Sequence, residues 1–327
     1  MKAVWYETTG EAESVLTIGE IAVPELNAGE VMVRVHASGV NPSDVKTRAG
    51  ARGPLAFDRV IPHSDGAGVI EAVGAGVSTE RIGERVWIWN GAWARAMGTN
   101  AEYIVVPAEQ AAHLPDAVSF EAGACLGIPA STAYYGVYAD GSVEGKTILV
   151  TGGAGAVGHY AIQFAKAGGA KVITTVSGPE KAAHAETAGP DAVINYREGD
   201  AAEAILAATN GEGVDRVVEV EFGGNLEVTN KILKPNGVVA TYGSMGDMEP
   251  KLPFYPMMFN CVTVRMYLVY LLSQEARALT VNGVNECIKD PSFKHMITEV
   301  YPFEKTAEAH KAVESGTLIG NVVVKVK

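Results

Sequence analysis

The sequence predicts an α/β protein of two domains, a β-rich one and a doubly wound parallel sheet of six strands. Three observations lead there. The chain has 327 residues, beyond the roughly 100–200 of a common single domain. From the N-terminus to about residue 110, short β-type runs are separated by Gly, Pro and Asn. From residue 146 onward, apolar runs of strand length alternate with helical patterns, the order that makes a parallel sheet.

In the first region Val31–Val35, Gly68–Val73, Arg85–Ile88 and Tyr103–Val106 each suit a strand. After Phe120 the segments lengthen and become helical. The six strands of the parallel sheet are expected at Thr147–Val150, Lys171–Val176, Ala192–Tyr196, Arg216–Val220, Val238–Tyr242 and Val262–Leu268. A helix over Thr306–Ser315 and a strand over Val322–Lys327 close the chain, and this tail is expected to return to the first domain.

The most informative stretch is 146–177. Strand, glycine turn, helix and second strand follow in order, and Gly153, Gly155 and Gly158 fit G-x-G-x-x-G. In that pattern the glycines make a tight turn, admit a pyrophosphate to the backbone and let helix and sheet pack closely. The anion would lie on the helix N-terminus, at Ala156 and Val157, where free N–H groups and the macrodipole favour it. NAD sites usually place Asp or Glu about 20 residues further on, against the ribose 2′-hydroxyl. Here that place holds Thr174-Thr175-Val176-Ser177. With no carboxylate to repel a 2′-phosphate, and with Ser177, Lys181 and Tyr196 able to surround one, the expected cofactor is NADPH. Lys181 taken alone reads more commonly as a solvated helix residue.

Composition narrows the classes. There are 38 acidic and 26 basic residues, a formal net charge of −12, which disfavours nucleic acid and anionic membranes as partners. The three cysteines show no C-x-x-C spacing, so neither a disulfide framework nor a structural zinc site is readable. No signal-peptide pattern opens the sequence, and Met257–Leu272, the most apolar late stretch, is broken by Asn260 and Arg265. A soluble, cytoplasmic protein is expected.

Four further segments carry a resemblance: Ala37-Ser38-Gly39-Val40-Asn41-Pro42-Ser43-Asp44, Pro62-His63-Ser64-Asp65-Gly66-Ala67-Gly68-Val69-Ile70-Glu71-Ala72-Val73-Gly74, Gly127-Ile128-Pro129-Ala130-Ser131-Thr132-Ala133-Tyr134, and the glycine turn together with Asn195-Tyr196-Arg197. With these in this order, the whole chain resembles the zinc-independent quinone oxidoreductase (zeta-crystallin-like) family of the medium-chain dehydrogenase/reductase superfamily. The resemblance implies a GroES-like catalytic domain from 1–124 and 269–327, a Rossmann NADPH-binding domain over 125–268, an active site in the cleft separating them, and a homodimer, with the edge strand near Val262–Leu268 as a candidate contact. It places Asn41 beside the nicotinamide and Thr132 near the nicotinamide ribose or amide. Phe222 and the Gly243-Ser244 loop follow the fourth and fifth strands, where the crevice of such a sheet binds its ligand.

Zinc-dependent members of the superfamily carry Cys near the position of Asn41 and His-Glu near Ser64 and Asp65. This chain lacks them, and His63 with Asp65 falls short of the three ligands a catalytic zinc needs, so no metal is expected. His63 then reads as a cleft-wall polar residue, a strand-end hydrogen bonder or a direct participant in catalysis. Known quinone reductases of the family carry tyrosines where this chain has Lys46 and Arg52. These cations are either plain surface residues or attract a carbonyl-bearing or acidic acceptor. Trp87, Trp89 and Trp93 read as core or as a flat pocket for a ring. The leading expectation is an NADPH-dependent quinone reductase acting on a small-molecule acceptor. An enone or alkenal double-bond reductase and an NADPH-binding structural or sensor protein without turnover are the alternatives.

Overall fold

A computed structural model describes residues 1–327. The chain divides into two compact units, Met1–Ile128 with Ile288–Lys327, and Pro129–Cys287. The return crossing lies after Cys287 and not at the expected 268/269. The reason is a helix over Gln274–Cys287 that packs on the helix Ser131–Tyr138 of the second unit. At their contact Gly283 is required, since a Cβ there would lie 1.9 Å from the Tyr134 ring.

In the first unit β1 (Lys2–Trp5), α1 (Ala12–Val15) and β2 (Thr17–Glu20) precede β3 (Glu30–Val40) and α2 (Pro42–Arg48). There follow β4 (Asp65–Val73), β5 (Arg85–Ile88), β6 (Tyr103–Pro107), β7 (Ala111–His113) and α3 (Phe120–Gly123). The second unit begins with α4 (Ser131–Tyr138), β8 (Thr147–Val150), α5 (Ala156–Ala167), β9 (Lys171–Val176), α6 (Pro179–Glu186) and β10 (Ala192–Asn195). It continues through α7 (Ala201–Ala208), β11 (Val214–Glu219), α8 (Phe222–Ile232), β12 (Leu233–Thr241), α9 (Phe254–Phe259), β13 (Thr263–Met266) and α10 (Gln274–Cys287). The tail adds β14 (Ile297–Pro302), α11 (Thr306–Glu314) and β15 (Asn321–Lys325) to the first unit.

The first unit is built on a sheet in the order β14-β15-β3-β4-β5-β7, with β6 also paired to β3. Alternation explains it: Val31, Val33 and Val35 of β3 point to one face and bury against Ile70, Val86, Ile88, Ile104 and Val106, the period of two that fixes strand register. The tail returns as expected, with β15 antiparallel to β3 and Val324 opposite Ser38.

The second unit holds six parallel strands in the order β10-β9-β8-β11-β12-β13. Counted from β8 this is 3-2-1-4-5-6, the doubly wound order whose direction reverses between β8 and β11, and ligands bind beyond the carboxyl ends of the strands at such a reversal. Leu149, Ile173, Val217 and Val239 of the strands pack with Ile205, Leu226 and Ile232 of the helices beneath. No helix is long and apolar enough to cross a membrane.

Candidate functional site

The turn after β8 is shaped by four glycines, of which the G-x-G-x-x-G reading found three. Gly152 takes φ +68°, a left-handed conformation that costs other residues about 1–2 kcal/mol. The sequence signal for it was present, since it directly precedes Gly153. A Cβ on Gly153 would sit 2.0 Å from Thr174 Oγ1, and one on Gly158 would sit 2.2 Å from the Gly152 carbonyl oxygen. These two glycines therefore let α5 lie against β8 and β9. Gly155 plays a different part. It is the N-cap of α5, where an added Cβ would have only the Gly152 oxygen near it, at 3.3 Å. No side chain caps this helix, and no acid lies in its first turn. The Gly155 N–H donates to Gly152 O at 2.9 Å, and the N–H groups at Ala156 and Val157 form an uncapped positive end at the switch point, a donor set that fits a pyrophosphate.

At the end of β9, Thr174 is buried with its hydroxyl donating to Val150 O at 2.8 Å, and Thr175 accepts the Gly152 N–H at 3.4 Å. Ser177 follows, half-buried. Asn195, the last residue of β10, lies opposite Val176, and the Tyr196 N–H donates to Val176 O at 3.1 Å. Ser177 and Tyr196 therefore leave adjacent strand ends together, with the Tyr196 ring 48% exposed. Lys181 stands in the first turn of α6, half-buried, and neither its ammonium nor the Ser177 hydroxyl has a protein partner. The three groups expected around a 2′-phosphate thus come from consecutive elements of one edge, with no carboxylate among the residues ending β9.

Phe222 opens α8 directly after β11 and is 4% exposed, its side chain in the core with Leu149, Ile205 and Leu226. Its N–H donates to Gly243 O at 2.9 Å. Ser244 Oγ accepts the Gly223 N–H at 2.9 Å. The side chain that organises this corner is one the sequence reading passed over, Glu221. Its Oε2 accepts the N–H groups of Met245 at 2.7 Å and Gly246 at 2.9 Å, and its Oε1 accepts that of Gly224 at 3.3 Å. Burial opposes ionisation, but the N–H groups of Gly246, Met245 and Gly224 outweigh it and hold the carboxyl below the usual glutamate range. Thr132 is buried on α4, and its carbonyl accepts the Tyr267 hydroxyl at 2.8 Å.

In the first unit, Asn41 is the N-cap of α2 and is 4% exposed. Its N–H donates to Asp44 Oδ2 at 2.8 Å and its Nδ2 to Asp65 Oδ2 at 2.9 Å, so the amide is held in one orientation. Asp65 Oδ2 also accepts the Ile128 N–H at 2.9 Å. Burial pushes the Asp44 carboxyl up to about 7, against the pull of the Asn41 N–H and the charge of Arg52. Lys46, half-buried on α2, and exposed Arg52 in the turn after it belong to the same short stretch as Asn41. One short stretch, α2 with its cap and the turn after it, thus carries three of the four residues expected to act on an acceptor.

For the fourth, His63, the surroundings favour the hydrogen-bonding reading over the catalytic one. It is fully buried, its Nδ1 lies 2.8 Å from Ser38 Oγ and its Nε2 lies 2.9 Å from His310 Nε2. Burial, with His310 beside it, lowers its pKa well below the usual value and keeps it neutral. With both ring nitrogens engaged inside the fold, it is a structural hydrogen bonder and meets no substrate. Nor do the tryptophans form a pocket as a set: Trp87 is fully buried, and Trp89 is 9% exposed with its Nε1 donating to Glu109 O at 3.2 Å. No group of three His, Cys, Asp or Glu side chains converges in a way that could hold a metal ion.

Comparison with known proteins places this geometry. Residues 27–116 match the family model of the alcohol dehydrogenase GroES-like domain, and residues 156–282 match that of the zinc-binding dehydrogenases. Human quinone oxidoreductase is 31% identical over 318 residues, 97% of this chain and 95% of its own. The crystal structure of Escherichia coli quinone oxidoreductase complexed with NADPH superposes with a TM-score of 0.86 at 27% identity, covering 99% of this chain and 100% of that one. That of an NAD-dependent alcohol dehydrogenase superposes with a TM-score of 0.89 at 29% identity, covering 100% of both. The fold, the open helix terminus and these relatives together make the protein an oxidoreductase that uses a pyridine nucleotide. The chain belongs to the quinone oxidoreductase family of the medium-chain dehydrogenase/reductase superfamily.

Proposed function

We propose that the protein is an NADPH-dependent quinone reductase that works without a metal. The observation that carries this reading is the acid-free end of β9, followed on consecutive elements by Ser177, Lys181 and Tyr196, with no carboxylate among the residues ending that strand to repel a 2′-phosphate. When bound, the cofactor supplies hydride from C4 of its nicotinamide. The chain's own residues bind and orient. The N–H groups of Ala156 and Val157 take the pyrophosphate, Gly153 and Gly158 hold α5 close enough to offer them, and Lys181 neutralises the 2′-phosphate. The backbone at Gly243 and Ser244, together with Thr132, borders the nicotinamide end. Asn41 keeps its amide oriented through Asp65 and Asp44, and Lys46 and Arg52 offer positive charge to an acceptor oxygen as it gains electrons.

The same two cations favour a second reading. An enone or alkenal reductase must stabilise an enolate oxygen, and Lys46 and Arg52 are the donors at hand. In either case we infer a homodimer formed through the edge strand β13, which has a neighbour on one side only, and a cytoplasmic setting in keeping with three free cysteines.

The test is NADPH oxidation against quinones and against α,β-unsaturated aldehydes, ketones and acids, with chelator present throughout. Turnover on quinones that chelator leaves unchanged is the expected result. Turnover on enones alone moves the assignment to the double-bond reductase, and loss with chelator overturns the metal-free part. Tight NADPH binding with no oxidation of any acceptor assigns a structural or sensing role.

A further inference from the structure

Two glutamates two positions apart tie together three turns at the carboxyl edge of the parallel sheet. Glu219, fully buried at the end of β11, accepts through Oε1 the Thr151 hydroxyl at 2.8 Å, the Glu221 N–H at 2.7 Å and the Asn225 amide at 2.9 Å. Thr151 directly precedes the glycine turn. Glu221 then reaches across to the loop after β12, accepting the N–H groups of Met245 and Gly246, while Gly243 O and Ser244 Oγ of that loop accept the N–H groups of Phe222 and Gly223. The turns after β8, β11 and β12 are thereby laced into one piece. Most of the residues from Met245 to Glu249 are otherwise exposed, and a loop of exposed backbone keeps a fixed shape only where specific bonds hold it.

We propose that Glu221 is a positioning residue for the nicotinamide end of the cofactor. Its ionised carboxylate fixes the Gly243–Gly246 backbone, so that this wall is formed before the cofactor arrives. The inference rests on the cofactor reading above. A carboxylate suits the task because hydrogen bonds to an ionised acceptor are about twice as strong as neutral ones, and a single one bridges two N–H groups of an exposed loop. It acts on one end of the cofactor only, since Ser177, Lys181 and Tyr196, the groups expected around the 2′-phosphate, make no hydrogen bond to Glu221 or to its loop.

The experiment compares Glu221→Ala and Glu221→Gln with the parent protein by titration with NADPH and with 2′,5′-ADP, which lacks the nicotinamide, and by amide hydrogen exchange at Met245 and Gly246. For Glu221→Ala the expected result is NADPH binding weakened by about tenfold, 2′,5′-ADP binding within about twofold of the parent, and faster exchange at both amides. Glu221→Gln keeps an acceptor oxygen and is expected to recover most of the NADPH affinity. Equal losses for both ligands, or none for either, overturn the proposal, as does unchanged exchange at the two amides. If the parent protein binds neither ligand, the cofactor reading itself has failed and the proposal falls with it; if it binds both and only the variant behaviour disagrees, the cofactor reading stands alone.

Discussion

Helices α5 and α8 both start at the carboxyl end of a strand in the same parallel sheet, but one N-terminus is open and the other is filled. At α5 the cap is Gly155, with no side-chain hydrogen bond and no acid in the first turn. At α8 the cap is Glu221, whose carboxylate accepts the Gly224 N–H and two more from the loop after β12. Each helix end carries about half a positive charge and several unpaired N–H groups. A side-chain carboxylate there stabilises the protein and excludes an external anion. The molecule therefore forgoes capping energy of about 1 kcal/mol at α5 and leaves that end open to an external anion, while at α8 the same chemistry holds a loop.

The contrast is broken most severely at Gly158. A valine there would drive its Cβ into the Gly152 carbonyl, and such overpacking costs about 1–3 kcal/mol. Gly158→Val is expected to lower affinity for NADPH and NADH alike by about 100-fold or more, measured by fluorescence titration, with a lower melting temperature. Gly155→Asp sharpens the contrast by making α5 resemble α8. The position has extended φ and ψ, and an added Cβ meets only the Gly152 oxygen, a tight 3.3 Å contact; with the capping gain the variant is expected to melt at the same or a higher temperature while binding both cofactors about 30-fold more weakly. A stabilised variant with normal binding would place the pyrophosphate elsewhere.

Lys181→Ala separates the two cofactors. Loss of a charge that faces only the 2′-phosphate is expected to weaken NADPH by about tenfold and NADH by less than about twofold; equal losses would remove Lys181 from the site. The smallest effect concerns pH. Because the folded pKa of Glu221 is depressed, its contribution is present above the ordinary glutamate value and is lost as pH falls through the folded value. Hydrogen exchange at Met245 and Gly246, corrected for intrinsic rate, is expected to stay level from about pH 8 to pH 5 and to rise below about pH 4.5, with α5 unchanged. A rise that begins near neutrality would assign the loop to another group.

The open end was legible in the sequence and the filled one was not, for a physical reason. Gly153, Gly155 and Gly158 lie within one turn and its helix, so their spacing alone encodes the close approach, and the missing acid after β9 is equally local. Glu221 acts on residues 24 and 25 positions away, and nothing in the local pattern announces such a reach; the nearest signal was an acid directly before a Gly-Gly helix start. The helix start at Phe222 was not legible, because Phe-Gly-Gly reads as loop, whereas α8 begins there and turns the ring into the core. His63 is the extreme case. Its partner His310 is 247 residues away, and its φ of +77° turns its backbone in a way no periodicity foretells. The strands of the parallel sheet were placed well because fully buried strands are continuous apolar runs, although β12 begins earlier, at Leu233, than the run from Val238 indicates.

The most direct test of the account is the affinity of the unmodified protein for NADPH and for NADH, measured side by side by calorimetric titration at one ionic strength. With an open α5 terminus and a 2′-phosphate held by Ser177, Lys181 and Tyr196, NADPH is expected to bind at least about tenfold more tightly. Equal affinities, or tighter binding of NADH, would contradict it.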